Sequence, residues 1–349
     1  MIRLNNDYNH GACEAILQAL QQTNACHYGG YGYDEWCEKA AAAIKEHLGM
    51  SDVDIHFMIG GTQTNYTVID AALRPYQSVI CADTGHINCH EAGSIERTGH
   101  KILVSPAENG KLTAAAVRQI ARKYQLSGEA EYLTQPKLVF LSSPSEYGTI
   151  YSKAELLAIK DVCREYGLYL YVDGARLAYW LTADGCDVTM KDLGELTDAF
   201  YIGGTKCGAL LGEALVVINR ELRPYFRTLM KQTGGILAKG WLLGLQFYTL
   251  LKNDLYFSLA RHANEQALCL QAAFREVDIK PFMESCTNQQ FVVLTPEQAE
   301  ALSKVCIYEL DHELPNGQLC VRFCTSWSTT DEEIAEMERH ILALGKEKA

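Results

Sequence analysis

No run of apolar residues in this 349-residue chain approaches the roughly 18 that a membrane-spanning helix needs. The longest candidate, Ala209 to Ile218, is short and contains Glu213. The opening segment MIRLNNDYNHG is polar and lacks the apolar core of a secretory signal. Cysteine pairs of the CxxC kind are missing, although there are 13 cysteines, the closest in spacing being Cys320 and Cys324. A zinc ribbon or a thioredoxin-type motif is therefore not expected, and the thiols read as reduced ones of a cytoplasmic protein. Positive charge is in deficit: 31 Lys and Arg stand against 43 Asp and Glu, a formal net charge of −12. That balance argues against a nucleic-acid partner and against a polybasic membrane anchor. GxGxxG and GxxxxGK[ST] are both absent, which disfavours a nucleotide-dependent oxidoreductase and a P-loop enzyme. There is no internal repeat, low-complexity stretch or Pro/Gly/Ser linker.

What the chain does contain is an alternation of short apolar runs and helical patterns. Asp34 to Leu48 carries Trp36, Ala40, Ile44 and Leu48 at helical spacing. Val53 to Ile59 reads as a strand, and Gly60-Gly61-Thr62 leads from it into a helix reaching Leu73. Further strands are expected at Ser78–Ala82, Lys101–Val104, Leu138–Leu141, Leu168–Val172, Ala199–Ile202 and Leu215–Ile218. Helices are expected at Thr113–Tyr124 and Ser152–Tyr166, the second opened by a Ser152/Glu155 capping box. Strands separated by helices imply a mostly parallel sheet covered on both faces, an α/β fold. After Asn219 the texture changes: Ile236 to Phe274 reads as a long helical region with few breaks, followed by a smaller mix of strands and helices. The domain boundary is expected near residue 245.

In open parallel sheets the chemistry gathers beyond the carboxyl ends of the strands. Three segments lie there. Gly60-Gly61-Thr62-Gln63-Thr64-Asn65 joins a strand to a helix, so its free N–H groups can cradle an anion; it also reads as a plain turn capped by Thr62. In Asp173-Gly174-Ala175-Arg176, an aspartate ends an apolar strand; it can cap a helix or face a cationic ring nitrogen. Arg176 can fork onto a carboxylate or a phenolate-type oxygen. In Gly203-Gly204-Thr205-Lys206, a lysine sits in a glycine turn, either as a surface lysine or as a buried amine able to form a Schiff base. An amine, an acid for a pyridinium nitrogen and a phosphate cup are together the requirements of pyridoxal phosphate. His86 follows the Ser78–Ala82 strand and can stack on a ring. His86, His90 and Glu91 stand in the order H-x-x-x-H-E, not HExxH, and no metal is expected.

With these segments in place, the sequence resembles the threonine aldolase / aromatic amino acid β-eliminating lyase family of fold-type I pyridoxal-phosphate (PLP) enzymes, in particular the low-specificity L-threonine aldolases. The resemblance runs from about Asn6 to Trp327. It is carried by Asn6-Asp7, Tyr28-Gly29, Tyr31-Gly32-Tyr33-Asp34, Gly61-Thr62-Gln63-Thr64-Asn65 and His86-Ile87 with Glu91-Ala92-Gly93. It continues in Glu146-Tyr147-Gly148-Thr149, Asp173-Gly174-Ala175-Arg176, Gly204-Thr205-Lys206, Val321-Arg322 and Ser326-Trp327. Relatives often have Ser-Asp where Asn6-Asp7 stands, and many carry a histidine where Glu146 stands.

The resemblance implies the aspartate aminotransferase fold: a large, mostly parallel-sheet domain at 21–245, a smaller α+β domain at 246–349, and a segment 1–20 packing with the smaller one. It implies PLP on Lys206, Asp173 at the ring nitrogen, His86 stacked on the ring, and Gly61, Thr62 and Gln63 at the phosphate. Arg176, also near the cofactor, and Arg322 would grip the substrate carboxylate, with Asn6 beside them. Lys239 would serve the phosphate of a neighbouring subunit in a homodimer or homotetramer. The implied reaction is cleavage of a β-hydroxy-α-amino acid, L-threonine or L-allo-threonine, to glycine and an aldehyde. The hydroxyl proton would go to His86, Glu146 or a water. The rival readings are β-elimination on another amino acid and PLP binding without turnover.

Overall fold

The computed structural model of the protein describes residues 1–346. Its apolar runs become thirteen strands: β1 (Ile2–Arg3), β2 (Asp54–Met58), β3 (Gln77–Ala82), β4 (Lys101–Ser105), β5 (Gln135–Ser142), β6 (Tyr169–Asp173), β7 (Ala199–Gly203), β8 (Glu213–Val217), β9 (Pro281–Met283), β10 (Gln289–Leu294), β11 (Cys306–Ile307), β12 (Glu309–Glu313) and β13 (Leu319–Cys324). Seven of them form one sheet in the order β2-β8-β7-β6-β5-β3-β4. β4, β3, β5, β6 and β7 run parallel. β8 is antiparallel to both its neighbours. The reason is length: residues 204–212 are too few for a helical crossover, so the chain turns straight back beside β7.

Every residue of β3, β7 and β8 is buried, as expected for strands covered on both faces. Successive residues serve opposite cores. Val139, Leu170, Val172, Phe200 and Ile202 belong to one. Leu138, Phe140, Tyr171, Ala199 and Tyr201 belong to the other. The covering helices start where capping chemistry sets them. Asp34 accepts from the Trp36 and Cys37 N–H groups, Thr113 accepts from Ala116 N–H, and Ser152 and Glu155 form the expected box.

A second, antiparallel sheet has the order β12-β13-β10-β9. β1 pairs in parallel with β11, bringing the amino terminus to this C-terminal part. The expected helical region Ile236–Phe274 holds helices at Trp241–Leu251 and Leu255–Glu276, and residues 236–240 are not helical. The second break falls at Asn253 and Asp254, both with positive φ (61° and 56°). Asn and Asp tolerate the left-handed region better than other non-glycine residues, so the interruption leaves no Gly or Pro signal. Among the described residues, no helix is long and apolar enough to cross a membrane.

Candidate active site

Asp173 ends β6, and three neighbouring elements fix its carboxylate. Oδ1 accepts from the Tyr201 hydroxyl of β7 (2.6 Å) and from Ala175 N–H (2.9 Å); Oδ2 accepts from Asn65 Nδ2 (2.8 Å). Asn65 stands early in the helix Gly61–Ala72. The turn after β6 locks onto the turn after β7, because Gly203 N–H donates to Gly174 O (2.9 Å). Only glycines fit there. A Cβ on Gly174 would stand 2.0 Å from Tyr201 O, and one on Gly203 would stand 2.2 Å from Ala175 O.

Lys206 lies three residues past β7. Glu213 accepts from Gly204 N–H (3.0 Å) and from the Thr205 hydroxyl (2.9 Å), and the Tyr179 hydroxyl donates to Lys206 O (2.6 Å). The backbone is thereby held while the ε-amino group lines a cleft of about 730 Å³, together with His86, Glu146, Arg176 and Arg322. Burial and the nearby Arg176 lower the lysine's pKa, against Asp7, Asp173 and Glu146, which favour its charge. Burial, with a smaller push from Asp173, raises Glu213 to about 8 despite its hydrogen bonds and the nearby Lys206.

The helix Gly61–Ala72 begins after an extended Gly60 with no capping side chain. Its first N–H groups are therefore left for a ligand, and Thr62 is not its cap. A Cβ on Gly61 would meet the Tyr201 hydroxyl at 2.9 Å. Gln63 turns its side chain away from this end: Oε1 accepts from Ile59 N–H (3.4 Å) and Nε2 donates to Thr233 O (3.2 Å). Only the backbone of Gln63 can serve an anion there.

His86 opens a short helix after β3, and its Nδ1 lies 2.8 Å from Glu91 Oε1. Burial lowers its pKa, but the Glu91 hydrogen bond, Glu146 and Asp173 outweigh that, and the net shift is upward. Arg176 is 9% exposed. Its Nε and Nη2 donate to the two oxygens of Asp7 (2.7 and 3.0 Å). That bidentate pair occupies one side of the guanidinium. Arg322, on β13, is less engaged: Nη2 donates to Asn5 O (2.9 Å), Nη1 reaches Gln289 Oε1 only at 3.5 Å, and the buried Nε has no partner.

Two expected residues lie elsewhere. Asn6 accepts from Tyr8 N–H (3.1 Å) and does not line the cleft, whereas Tyr8 does. Lys239 is exposed in the turn before Trp241 and does not line the cleft either. The residues that sequence reasoning left without a role are Asp7, Asn65, Glu91, Tyr201 and Glu213. Each acts by contacting residues remote in the chain. Asp7, Asn65 and Glu91 did sit inside quoted motifs, which was the available signal.

The strand order, the added C-terminal sheet and the chemistry at the carboxyl edge define a class, the fold-type I PLP enzymes. Solved structures agree at the level of fold. Aspartate aminotransferase from Thermus thermophilus with maleate superposes with a TM-score of 0.71 over 99% of this chain and 91% of that one, at 16% identity. Within that class, the chain belongs to the beta-eliminating lyase family, whose model matches residues 4–297. It is 32% identical to the low specificity L-threonine aldolase of Pseudomonas aeruginosa over 96% of both chains. It is 30% identical to the enzyme so named from a Pseudomonas species, over 97% of this chain and 96% of that one. A structure described as Leishmania major threonine aldolase superposes with a TM-score of 0.96 at 40% identity, covering 99% of this chain and 100% of the other.

Proposed function

We propose that the protein is a PLP-dependent aldolase that cleaves L-threonine or L-allo-threonine to glycine and an aldehyde. One observation carries this reading. The Gly203–Gly174 hydrogen bond sets a fixed acid, Asp173, beside the turn that sends a half-buried Lys206 into a cleft, and the lightly engaged guanidinium of Arg322 lines that cleft too. The residues fit the cofactor. Lys206 would bind its aldehyde, Asp173 its ring nitrogen, and the N–H groups of Gly61, Thr62 and Gln63 its phosphate, with His86 over the ring. Bound there, PLP would draw electrons from the α-carbon of an amino acid.

The chain's own residues would direct that pull. Arg322 would grip the substrate carboxylate through Nη1, whose contact to Gln289 is long, and Arg176, braced by Asp7, would offer its remaining Nη1 to the same carboxylate or to the cofactor. Holding the carboxylate fixes rotation about the α-carbon, so the bond to the β-carbon is the one aligned for cleavage. His86 and Glu146 line the same cleft and would face the β-hydroxyl. Glu146 occupies the loop where many relatives have histidine, so a carboxylate replaces an imidazole beside the departing aldehyde. The domain division near residue 245, a homodimer or homotetramer and a cytoplasmic location belong to the same proposal. Lys239, exposed and outside its own chain's cleft, would serve a neighbour's phosphate, while Asn6 would act through the Asp7 segment.

Two experiments test the reading. Borohydride reduction followed by peptide mass spectrometry should find the cofactor on residue 206; its attachment elsewhere, or its retention unchanged in Lys206→Ala, contradicts the assignment. Incubation with L-threonine and with L-allo-threonine should yield glycine and an aldehyde. The family's description as beta-eliminating lyases motivates the rival, β-elimination, which would yield a keto acid and ammonia from a suitable amino acid.

A further inference from the structure

Behind the cleft, one amide joins two buried carboxylates. Asn65 Nδ2 lies 2.7 Å from Glu91 Oε1 and 2.8 Å from Asp173 Oδ2. The orientation of the amide is fixed by its other end, where Oδ1 accepts from the Tyr171 hydroxyl (2.9 Å). Flipping it would set an oxygen against two carboxylates and a nitrogen against a hydroxyl proton. Asn65 is 0% exposed and the Glu91 side chain 0%. Glu91 Oε1 also lies 2.8 Å from His86 Nδ1, and its Oε2 accepts from the Ser94 hydroxyl (2.7 Å). The facing atoms of His86, Glu91 and Asp173 all lie within 4.8 Å of one another.

Two carboxylates this close and this deep need donors and counter-charge between them. Asn65 gives each acid one N–H, but an amide carries no charge. The counter-charge available to Glu91 within hydrogen-bond reach is His86.

We propose that Glu91 and Asn65 are positioning residues that form one unit with His86 and Asp173: Glu91 fixes His86 as a cation with Nδ1–H turned inward and Nε2 toward the cleft, and Asn65 holds the two acids in register. Three groups, Asn65 Nδ2, the Ser94 hydroxyl and His86 Nδ1, converge on the Glu91 carboxylate. Besides Glu91, the acids facing His86 are Asp173 and Glu146. His90 packs beside it with ring centroids 5.6 Å apart. The opposing cations, Lys206, Arg176 and Arg322, line the same cleft, but none hydrogen-bonds the imidazole. The consequence is a coupling. The proton on His86 and the orientation of the acid assigned to the cofactor nitrogen depend on the same asparagine.

The link to the cofactor rests on the PLP reading, whereas the protonation of His86 does not, so the two can fail separately. The test is a pH titration of isotope-labelled histidine by NMR in the protein as purified, with the His86 signals assigned by their loss in His86→Asn. Wild type should show an inward Nδ1–H and a doubly protonated ring at neutral pH. Glu91→Gln should lower the His86 midpoint by at least about one unit, a tenfold loss of proton affinity. A neutral His86 in wild type overturns the proposal without any variant, as does an unchanged midpoint in a folded Glu91→Gln. Asn65→Ala supplies the second arm. It should make the cofactor's visible absorbance depend on pH where wild type is flat, because the carboxylate assigned to the ring nitrogen loses a donor that orients it. A spectrum as flat as wild type overturns the role of Asn65. Lack of any bound cofactor in wild type would defeat the functional reading while leaving the histidine titration interpretable.

Discussion

Single residues divide into those whose chemistry shows in the sequence and those whose partners do not. Lys206, Asp173 and His86 were legible because each follows an apolar strand in a glycine-marked turn, where a charged residue is out of place. Asp7 was not. It reads as one polar residue in a polar opening, yet it is 1% exposed and forks onto Arg176, 169 positions away. Arg322 is the residue whose truncation should be most informative. Its long contact to Gln289 and its single shorter one, to the Asn5 carbonyl, leave it little structural work. Arg322→Ala should therefore cost about 1.5–3 kcal/mol of substrate binding, about tenfold to 150-fold in kcat/KM. The melting temperature should stay within about 2 °C of wild type. Steady-state kinetics beside a thermal melt would check this; unchanged kinetics would remove Arg322 from the substrate site.

At the level of elements, turns and strand ends carry the site. Gly60 and Gly61 are adjacent and look alike in the sequence, but their surroundings differ. A Cβ at Gly60 meets nothing within 4 Å, and its φ of −167° suits any residue. A Cβ at Gly61 presses on the Tyr201 hydroxyl, which holds Asp173. Gly60→Ala should keep the cofactor, and Gly61→Ala should lose it more readily on dialysis, at equal folding by circular dichroism. Glu213, the first residue of β8, gives a pH signature. Its folded value is near 8 against 4.5 for an ordinary glutamate, so the folded state holds a proton that the unfolded chain releases. Its contribution to stability is complete below about 4.5 and drains away as pH rises through about 8. Glu213→Gln has no proton to lose. Its melting temperature relative to wild type should climb between those limits, and a constant difference would contradict the buried-acid reading. The break at Asn253 and Asp254, whose place the sequence did not mark, belongs at this scale too. Periodicity reports which face of a helix is apolar and is blind to two left-handed residues that keep both faces in place.

For the whole molecule, Asp7 is the tie. It belongs to the amino-terminal segment, accepts from Arg176 at the edge of the large sheet, and accepts from Asn288 Nδ2 (2.9 Å) just before β10 of the second sheet. Burial would raise its pKa, but Arg176, Lys206 and the hydrogen bonds outweigh burial and hold it below 3.8. That stabilisation is present above the unfolded value and is lost as pH falls through the still lower folded one. Asp7→Asn leaves a buried guanidinium without its counter-charge and should destabilise by about 3–5 kcal/mol. Urea titrations at neutral pH and at a pH below the folded value should show the difference between wild type and variant shrinking in acid.

The sequence alone determined the class of fold, the position of most strands and three groups of the candidate site, because burial of both sheet faces and the punctuation of turns are written locally. It also carried enough ordered motifs to suggest the family. Only the tertiary structure decided that Asp7 braces Arg176, that Asn65 joins two acids, and that Glu213 shapes the lysine turn. Those contacts span 8 to 169 positions of chain, most of them more than any local pattern covers, and a hydrogen bond between distant residues exists only once the backbone has brought donor and acceptor together.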